Sequence, residues 1–183
     1  MIKTDSKYKS KRTFSWVSPK VEVKDTQKYG IGAFAGEDIK KGQFIHTLSG
    51  ERVSLQECWD RINKEDEALT DPLQIALEEY IDLDEFSRTF NHSCDANMGL
   101  KNESDLFALR DIKKGEELTF DYSTTVGPNI PKTEWYMDCS CGSKKCRKII
   151  SNVLTIPKKE LDSYIKEGFL QDYILKELAK IQI

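Results

Sequence analysis

The stretch "CSCGSKKC" at residues 139–146 constrains this chain more than any other. It holds Cys139, Cys141 and Cys146, a Cys-x-Cys-x₄-Cys spacing too tight for routine disulfides among its own members. Gly142 lets the backbone bend so that the three sulfurs can converge. Such a group points to a structural zinc, which takes four ligands, usually thiolate or imidazole. The remaining candidates are Cys58, Cys94, His46 and His92. Cys58 falls on the apolar face that Leu55, Cys58, Trp59 and Ile62 would form on a helix, a core position. Cys94 lies in the polar run "FNHSCDAN", without that periodicity, and is the better fourth ligand. His92 competes for the place, but thiolate completion is the simpler site. The neighbouring Lys144, Lys145, Arg147 and Lys148 suit the negative charge of a four-thiolate zinc.

Length and composition set the frame. With 183 residues, 32% charged and 38% hydrophobic, the chain can build one sizeable core with an appendage. No run approaches the roughly 18 unbroken apolar residues of a membrane span. The basic start has no apolar stretch behind it and does not read as a signal peptide. An odd count of 5 cysteines fits a disulfide framework poorly, so a reducing compartment is expected. The net charge of −3 is uneven: residues 1–20 carry six Lys or Arg against Asp5, leaving an acidic body. That body argues against direct nucleic-acid binding and is compatible with a basic protein partner. Residues 1–19 read as a solvated basic tail.

From Val21 onward the pattern is strand-like: "VEV", then "YGIGAFA". Ser54 with Glu57 three residues later signals a helix start. Short segments follow, "LQIAL", "EYIDL", "LFALRDI" and "ELTFDY", with turn residues between. "DIKKGQFI" at 38–45 and "DIKKGEEL" at 111–118 are near-copies, each a turn that delivers a new strand. Beyond the cysteines the pattern is helical. Pro157 suits a first turn, Gly168 interrupts, and Leu170, Tyr173, Ile174, Leu178 and Ile181 form an apolar stripe. The expected class is mainly β with some α, in several small sheets.

"NHSC", then "GEELTFDY", then Cys-x-Cys-x₄-Cys, preceded by "YGIGAFA", closely resembles the SET-domain lysine methyltransferases with a post-SET zinc segment. The resemblance covers roughly residues 20–150. "LTIPKKELDSYIKEGFLQDYI" looks like the tail of small stand-alone bacterial members. It implies a SET fold of small curved sheets with a knot-like C-terminal crossing. The SET domain would occupy residues 20–125, the zinc-binding post-SET segment 126–150 and a helical extension 151–183. It further implies S-adenosylmethionine on one side of a narrow channel and a target lysine on the other, with one structural zinc on Cys94, Cys139, Cys141 and Cys146. By the same resemblance Gly30, Ile31 and Gly32 run along the cofactor, and Arg88, Asn91 and His92 hold it. Tyr122 is the catalytic tyrosine and also borders the cofactor. Phe120 occupies a position where the family carries Phe or Tyr, which implies methylation beyond the first step. Leu48 in "TLSG" stands where many histone-directed members carry tyrosine at the channel. The implied partner is a lysine-containing, basic protein: a histone, a histone-like protein or a ribosomal protein. The cytoplasm is the expected location for a bacterial source, the nucleus or a host cell the alternatives. Two rival readings are a zinc-stabilised nucleic-acid-binding module, favoured by the lysines of the cysteine segment, and an inactive SET-fold interaction protein.

Overall fold

Short β-prone runs, giving strands of two to five residues with turns between them, build several small sheets rather than one large one. The computed structural model describes residues 18–28, 30–63 and 71–181, the side chains of residues 62 and 63 excepted. The basic tail over residues 1–17, and the placement of Ile62 on a helix face, lie outside the described residues. Strands β1 (Val21–Asp25) and β2 (Ile31–Ala35) form an antiparallel pair. Strands β4 (Gly50–Ser54), β5 (Pro72–Gln74) and β6 (Glu79–Leu83) form a second antiparallel sheet, in the order β4-β6-β5.

The central sheet has five strands: β3 (Phe44–Thr47), β7 (Asn91–His92), β8 (Met98–Lys101), β9 (Asp105–Ala108) and β10 (Thr119–Phe120), ordered β3-β9-β8-β10-β7. Strand β10 pairs in parallel with both β7 and β8. It therefore inserts between two strands that precede it in the chain. Asn97 straps it there. Its side chain accepts from the Thr119 N–H at 2.9 Å and donates to the Glu117 carbonyl at 2.8 Å. Strand β8 has no local signal in "MGLK": Met98, Gly99 and Leu100 are all buried, so the alternation that marks a half-exposed strand is missing.

The near-copies find each other. Ile39 and Ile112 exchange both backbone hydrogen bonds, at 2.8 and 2.9 Å, and are 1% exposed. Asp111 accepts from the Lys40 ammonium and the Lys41 N–H, while Asp38 accepts from the Lys113 ammonium and the Lys114 N–H. Gly42 and Gly115 take φ +78° and +86° in the two turns, a region that favours glycine. The repeated peptide is a reciprocal clasp between distant parts of the chain.

Helix α1 (Leu55–Asn63) starts as expected, with Ser54 Oγ accepting the Glu57 N–H at 3.2 Å. Cys58 is buried, but Trp59 is 45% exposed, contrary to the apolar-face assignment. Adjacent helical residues point about 100° apart, and the core claims the Cys58 side. Strands β11 (Met137–Asp138) and β12 (Ile149–Ile150) form a hairpin whose loop carries the clustered cysteines. Helices α2 (Lys158–Glu167) and α3 (Asp172–Lys180) follow. Pro157 caps α2 from outside rather than entering its first turn, and Gly168, at φ +68°, ends it. Leu170, Tyr173, Ile174 and Leu178 are buried with Val153, Ile156 and Leu161 in a second small core, but Ile181, just past α3, is 45% exposed. Among the described residues no helix is long and apolar enough to cross a membrane.

Candidate active site and metal centre

Strand β7 is the meeting point. Its register sets Asn91 beside Thr119 and His92 beside Phe120. Asn91 Nδ2 donates to the Ile31 carbonyl at 3.3 Å and to Glu117 Oε1 at 2.9 Å, which joins β7 to the first residue of β2. Gly30, just before β2, and Gly32, within it, serve different ends. Gly30 has φ +87° with open space around it. A Cβ on Gly32 would sit 2.6 Å from the Thr26 methyl, 2.9 Å from Glu117 Oε1 and 3.0 Å from Asn91 Nδ2. Ile31, Gly32 and Asn91 thus meet at one place, with Gly30 next to Ile31 in the chain. Glu117 joins them although its motif, "GEEL", gave no hint of its partner; only the fold brings it to Asn91.

Tyr122 opens a 3₁₀ turn, Tyr122–Thr125, directly after β10. Its hydroxyl donates to the Phe90 carbonyl at 3.0 Å, and its ring lies 4.8 Å from Phe120 and 5.3 Å from His92, centroid to centroid. Burial, with the charges of Asp71 and Glu117, pushes the phenol well above its ordinary value. Tyr122 is therefore a protonated hydrogen-bond donor at neutral pH, not a base. Phe120 and Leu48 are buried in the main core, 4% and 1% exposed, and Tyr122 packs against that cluster. Arg88 turns to β6: it bonds the Leu83 carbonyl at 2.5 Å and Asp82 at 2.8 Å.

The thiols converge as the spacing suggests. Cys139 Sγ lies 3.7 Å from Cys94 Sγ and 3.7 Å from Cys146 Sγ. A tetrahedral zinc with four bonds of about 2.3 Å sets its sulfurs about 3.8 Å apart, so these distances fit that ion. Cys141 belongs to the same group: the donor atoms of His92, Cys94, Cys139 and Cys141 lie within 4.8 Å of one another. Cys146 Sγ stands outside that mutual group and reaches it through Cys139, so His92, Cys94, Cys139 and Cys141 are the four donors gathered most tightly. His92 Nδ1 accepts the Tyr122 N–H at 3.1 Å. Burial lowers the imidazole to about 4 despite the opposing charge of Asp121, so the ring is neutral at pH 7 and carries one proton. With Nδ1 an acceptor, that proton belongs on Nε2, which faces Cys94 Sγ at 3.3 Å. In that tautomer Nε2 donates to the sulfur; the opposite tautomer frees Nε2 to ligate a metal beside Cys94, Cys139 and Cys141.

Burial raises the Cys94 and Cys139 thiols. Cys141 is held down to about 6: burial opposes its ionisation, but N–H groups of Cys94 and Ser143 and the Ser143 hydroxyl favour the thiolate. Arg147 closes the group. Its N–H points to Cys94 Sγ at 3.4 Å, and its guanidinium grips Asp121 through two bonds of 2.7 and 2.6 Å. Asp121, 2% exposed, stands between Phe120 and Tyr122 and caps the Tyr122 turn through the Ser123 N–H. This bridge from the cysteine hairpin to the Tyr122 turn has no local signature in the sequence.

The family profile described as SET domain matches residues 30–123, just over half of the chain. The chain belongs to the SET-domain family. Among curated proteins it is 33% identical over 166 residues to the H3 lysine-9 specific histone-lysine N-methyltransferase KMT1 of Fusarium mangiferae, covering 71% of this chain and 48% of that protein. It is 33% identical over 141 residues to the H3 lysine-36 specific histone-lysine N-methyltransferase of Homo sapiens, covering 70% of this chain and 5% of that protein. The chain therefore spans about half the length of the first relative and a small part of the second. The methyltransferase domain of human SETMAR shares the fold with a TM-score of 0.54 at 25% identity, over 72% of this chain and 58% of that one. The ctPRC2 structure bound to S-adenosylmethionine gives a TM-score of 0.52 at 29% identity, over 64% of this chain and 16% of that one. The matched SET span ends one residue past Tyr122; the cysteine hairpin and both C-terminal helices lie beyond it.

Proposed function

We propose that this SET-domain chain transfers methyl groups from S-adenosylmethionine to the side-chain nitrogen of lysine in a basic protein of histone type. The observation that carries this reading is the convergence of Tyr122 and Phe120 with the Gly30–Gly32 segment, Asn91 and His92 around β7 and β10. The relatives named above as histone-lysine methyltransferases support it. S-adenosylmethionine, when bound, supplies a methyl group on a sulfonium and leaves as a neutral thioether, so no strong acid is required.

In this reading Gly30, Ile31 and Gly32 offer backbone to the cofactor at close range, Asn91 holds its amino-acid end, and His92 contributes through its backbone. Arg88 acts from behind, anchored on Asp82. The Tyr122 hydroxyl donates its hydrogen bond to the Phe90 carbonyl, so its oxygen lone pairs are free to stabilise the positive methyl group in flight. The chain must also align the lysine nitrogen, and Phe120 and Leu48 supply the apolar surroundings for that alignment. Lysine, with a pKa near 10.4, is neutral in only about one copy in 10³ at pH 7. A desolvating channel beside a sulfonium favours the neutral amine without a dedicated base.

Zinc would be held by Cys94, Cys139, Cys141 and Cys146, where it would fix the cysteine hairpin to the β7–β8 loop. The test of the function is transfer from labelled S-adenosylmethionine to recombinant core histones, with Tyr122→Phe beside the wild type. The variant should bind the cofactor nearly normally and transfer about 10²-fold more slowly. Absence of label on lysine in the wild type would remove the proposal, and full activity in the variant would remove tyrosine from the mechanism.

A further inference from the structure

The helices beyond the matched SET span reach back to the turn that carries Tyr122. Gln171, fully buried, donates through Nε2 to the Gln74 carbonyl at 2.9 Å and the Glu103 carbonyl at 2.6 Å. The Tyr173 hydroxyl lies 2.8 Å from Gln74 Oε1 and 2.8 Å from the Thr125 carbonyl. Gln74 Oε1 also accepts the Gly127 N–H at 3.0 Å. Thr125 in turn bonds the Tyr122 carbonyl through its hydroxyl at 2.9 Å. A continuous chain of polar contacts therefore runs from the first turn of α3 to Tyr122. The Asp172 N–H on the Asn102 carbonyl, and Phe169 against Gly99, seat the same stretch on the central sheet.

Packing alone does not call for these side chains. Leu170, Ile174 and Leu178 already bury the apolar face of the tail. A buried glutamine and a buried phenol cost stability unless hydrogen-bonded, and apolar residues would fill the same space. What they add is a set of fixed points on polar backbone. The last carbonyls of a helical turn lack partners within it, and Tyr173 reaches one of those on the Tyr122–Thr125 turn. Methyl transfer depends on in-line alignment, so the placement of that turn matters to the rate.

We propose that α3 is a clamp on the turn bearing Tyr122, with Tyr173 a positioning residue for Tyr122 and Gln171 the anchor of the helix that presents it. This rests on the reading of Tyr122 as the tyrosine of methyl transfer. The test compares the 183-residue wild-type chain with Tyr173→Phe and Leu178→Ala. Hydrogen exchange is followed over residues 119–127 and, as a reference, over 98–108. Transfer from S-adenosylmethionine to recombinant core histones is measured alongside. Tyr173→Phe should speed exchange over 119–127 only and lower kcat about three- to tenfold at unchanged KM for S-adenosylmethionine, the effect of one lost hydrogen bond. Leu178→Ala should lower Tm while kcat well below the melting range stays at the wild-type value. Wild-type exchange over 119–127 in Tyr173→Phe, or acceleration spread equally over 98–108, overturns the clamp, as does a wild-type kcat. If the wild type itself transfers nothing, the reading of the function fails, and the exchange measurement still decides whether α3 restrains the turn.

Discussion

Phe120 and Tyr122 stand two residues apart, and their different chemistry divides the work. The tyrosine has a hydroxyl, and the hydroxyl is already engaged with Phe90. Phe120 has none, and its ring packs beside Tyr122 in the core. A methylated amine must turn to present its lone pair to a second cofactor, which needs space and no competing hydrogen bond. Phe120→Tyr adds a hydroxyl worth about 0.5–1.5 kcal/mol in a net hydrogen bond, a several-fold bias at each step. The variant should therefore accumulate monomethyl-lysine while the wild type proceeds further, as mass spectrometry of the histone substrate over time would show. A wild type that stops at one methyl group with cofactor in excess would make Phe120 irrelevant to product state.

The β11–β12 hairpin is too short to hold itself together: each strand contributes two residues. The proposed zinc in its loop would supply what the ladder cannot, because binding free energy at such a site is folding free energy. His92, Cys94, Cys139 and Cys141 lie within 4.8 Å of one another and Cys146 reaches Cys139, so the proposed four-cysteine site sets Cys146 against His92 for the last place. Metal analysis should give one zinc per chain. Cys94→Ser and Cys146→Ser should lose it, whereas His92→Asn and Cys58→Ser should keep it. Retention by Cys146→Ser together with loss by His92→Asn would reverse the assignment. Arg147 extends the element's reach, because one residue touches Cys94 through its backbone and Asp121 through its guanidinium.

For the whole molecule, the paired Asp-Ile-Lys-Lys-Gly segments act as a long-range fastener, joining residues 70 or more apart. Each isoleucine is 1% exposed and occupies an equivalent place, so Ile39→Ala and Ile112→Ala should each cost about 2–5 kcal/mol, and by similar amounts. The aspartates add a pH dependence. The Lys113 side chain and Lys114 N–H hold Asp38 below its ordinary value, and the Lys40 side chain and Lys41 N–H do the same for Asp111. A depressed carboxyl stabilises the folded state above its unfolded pKa, near 3.9, and that contribution is lost as pH falls through the lower folded value. Urea melts from pH 5 to pH 2 should show the wild type losing stability more steeply than Asp38→Asn/Asp111→Asn over this range. Equal slopes would show that the fastener carries no electrostatic part.

Much of this protein was local enough to be legible in its sequence. The strand-and-turn rhythm, the helix start at Ser54, the stop at Gly168, the cysteine spacing and the motifs around Asn91 and Tyr122 depend on residues close together in the chain. Short-range sterics and hydrogen-bonding chemistry govern such features, and sequence order records them. What remained hidden depends on residues brought together from far apart. Strand β8 lacked alternation because both its faces are covered, and Trp59 was placed inward because helical phase does not say which side the core will claim. The partnership of Glu117 with Asn91, the grip of Arg147 on Asp121 and the reach of Tyr173 to Thr125 have no local pattern at all. The near-copied turns were visible as a repeat, but that they clasp each other was not. Tertiary structure decided those pairings because a buried polar group takes whichever partner the packing of the whole chain delivers to it.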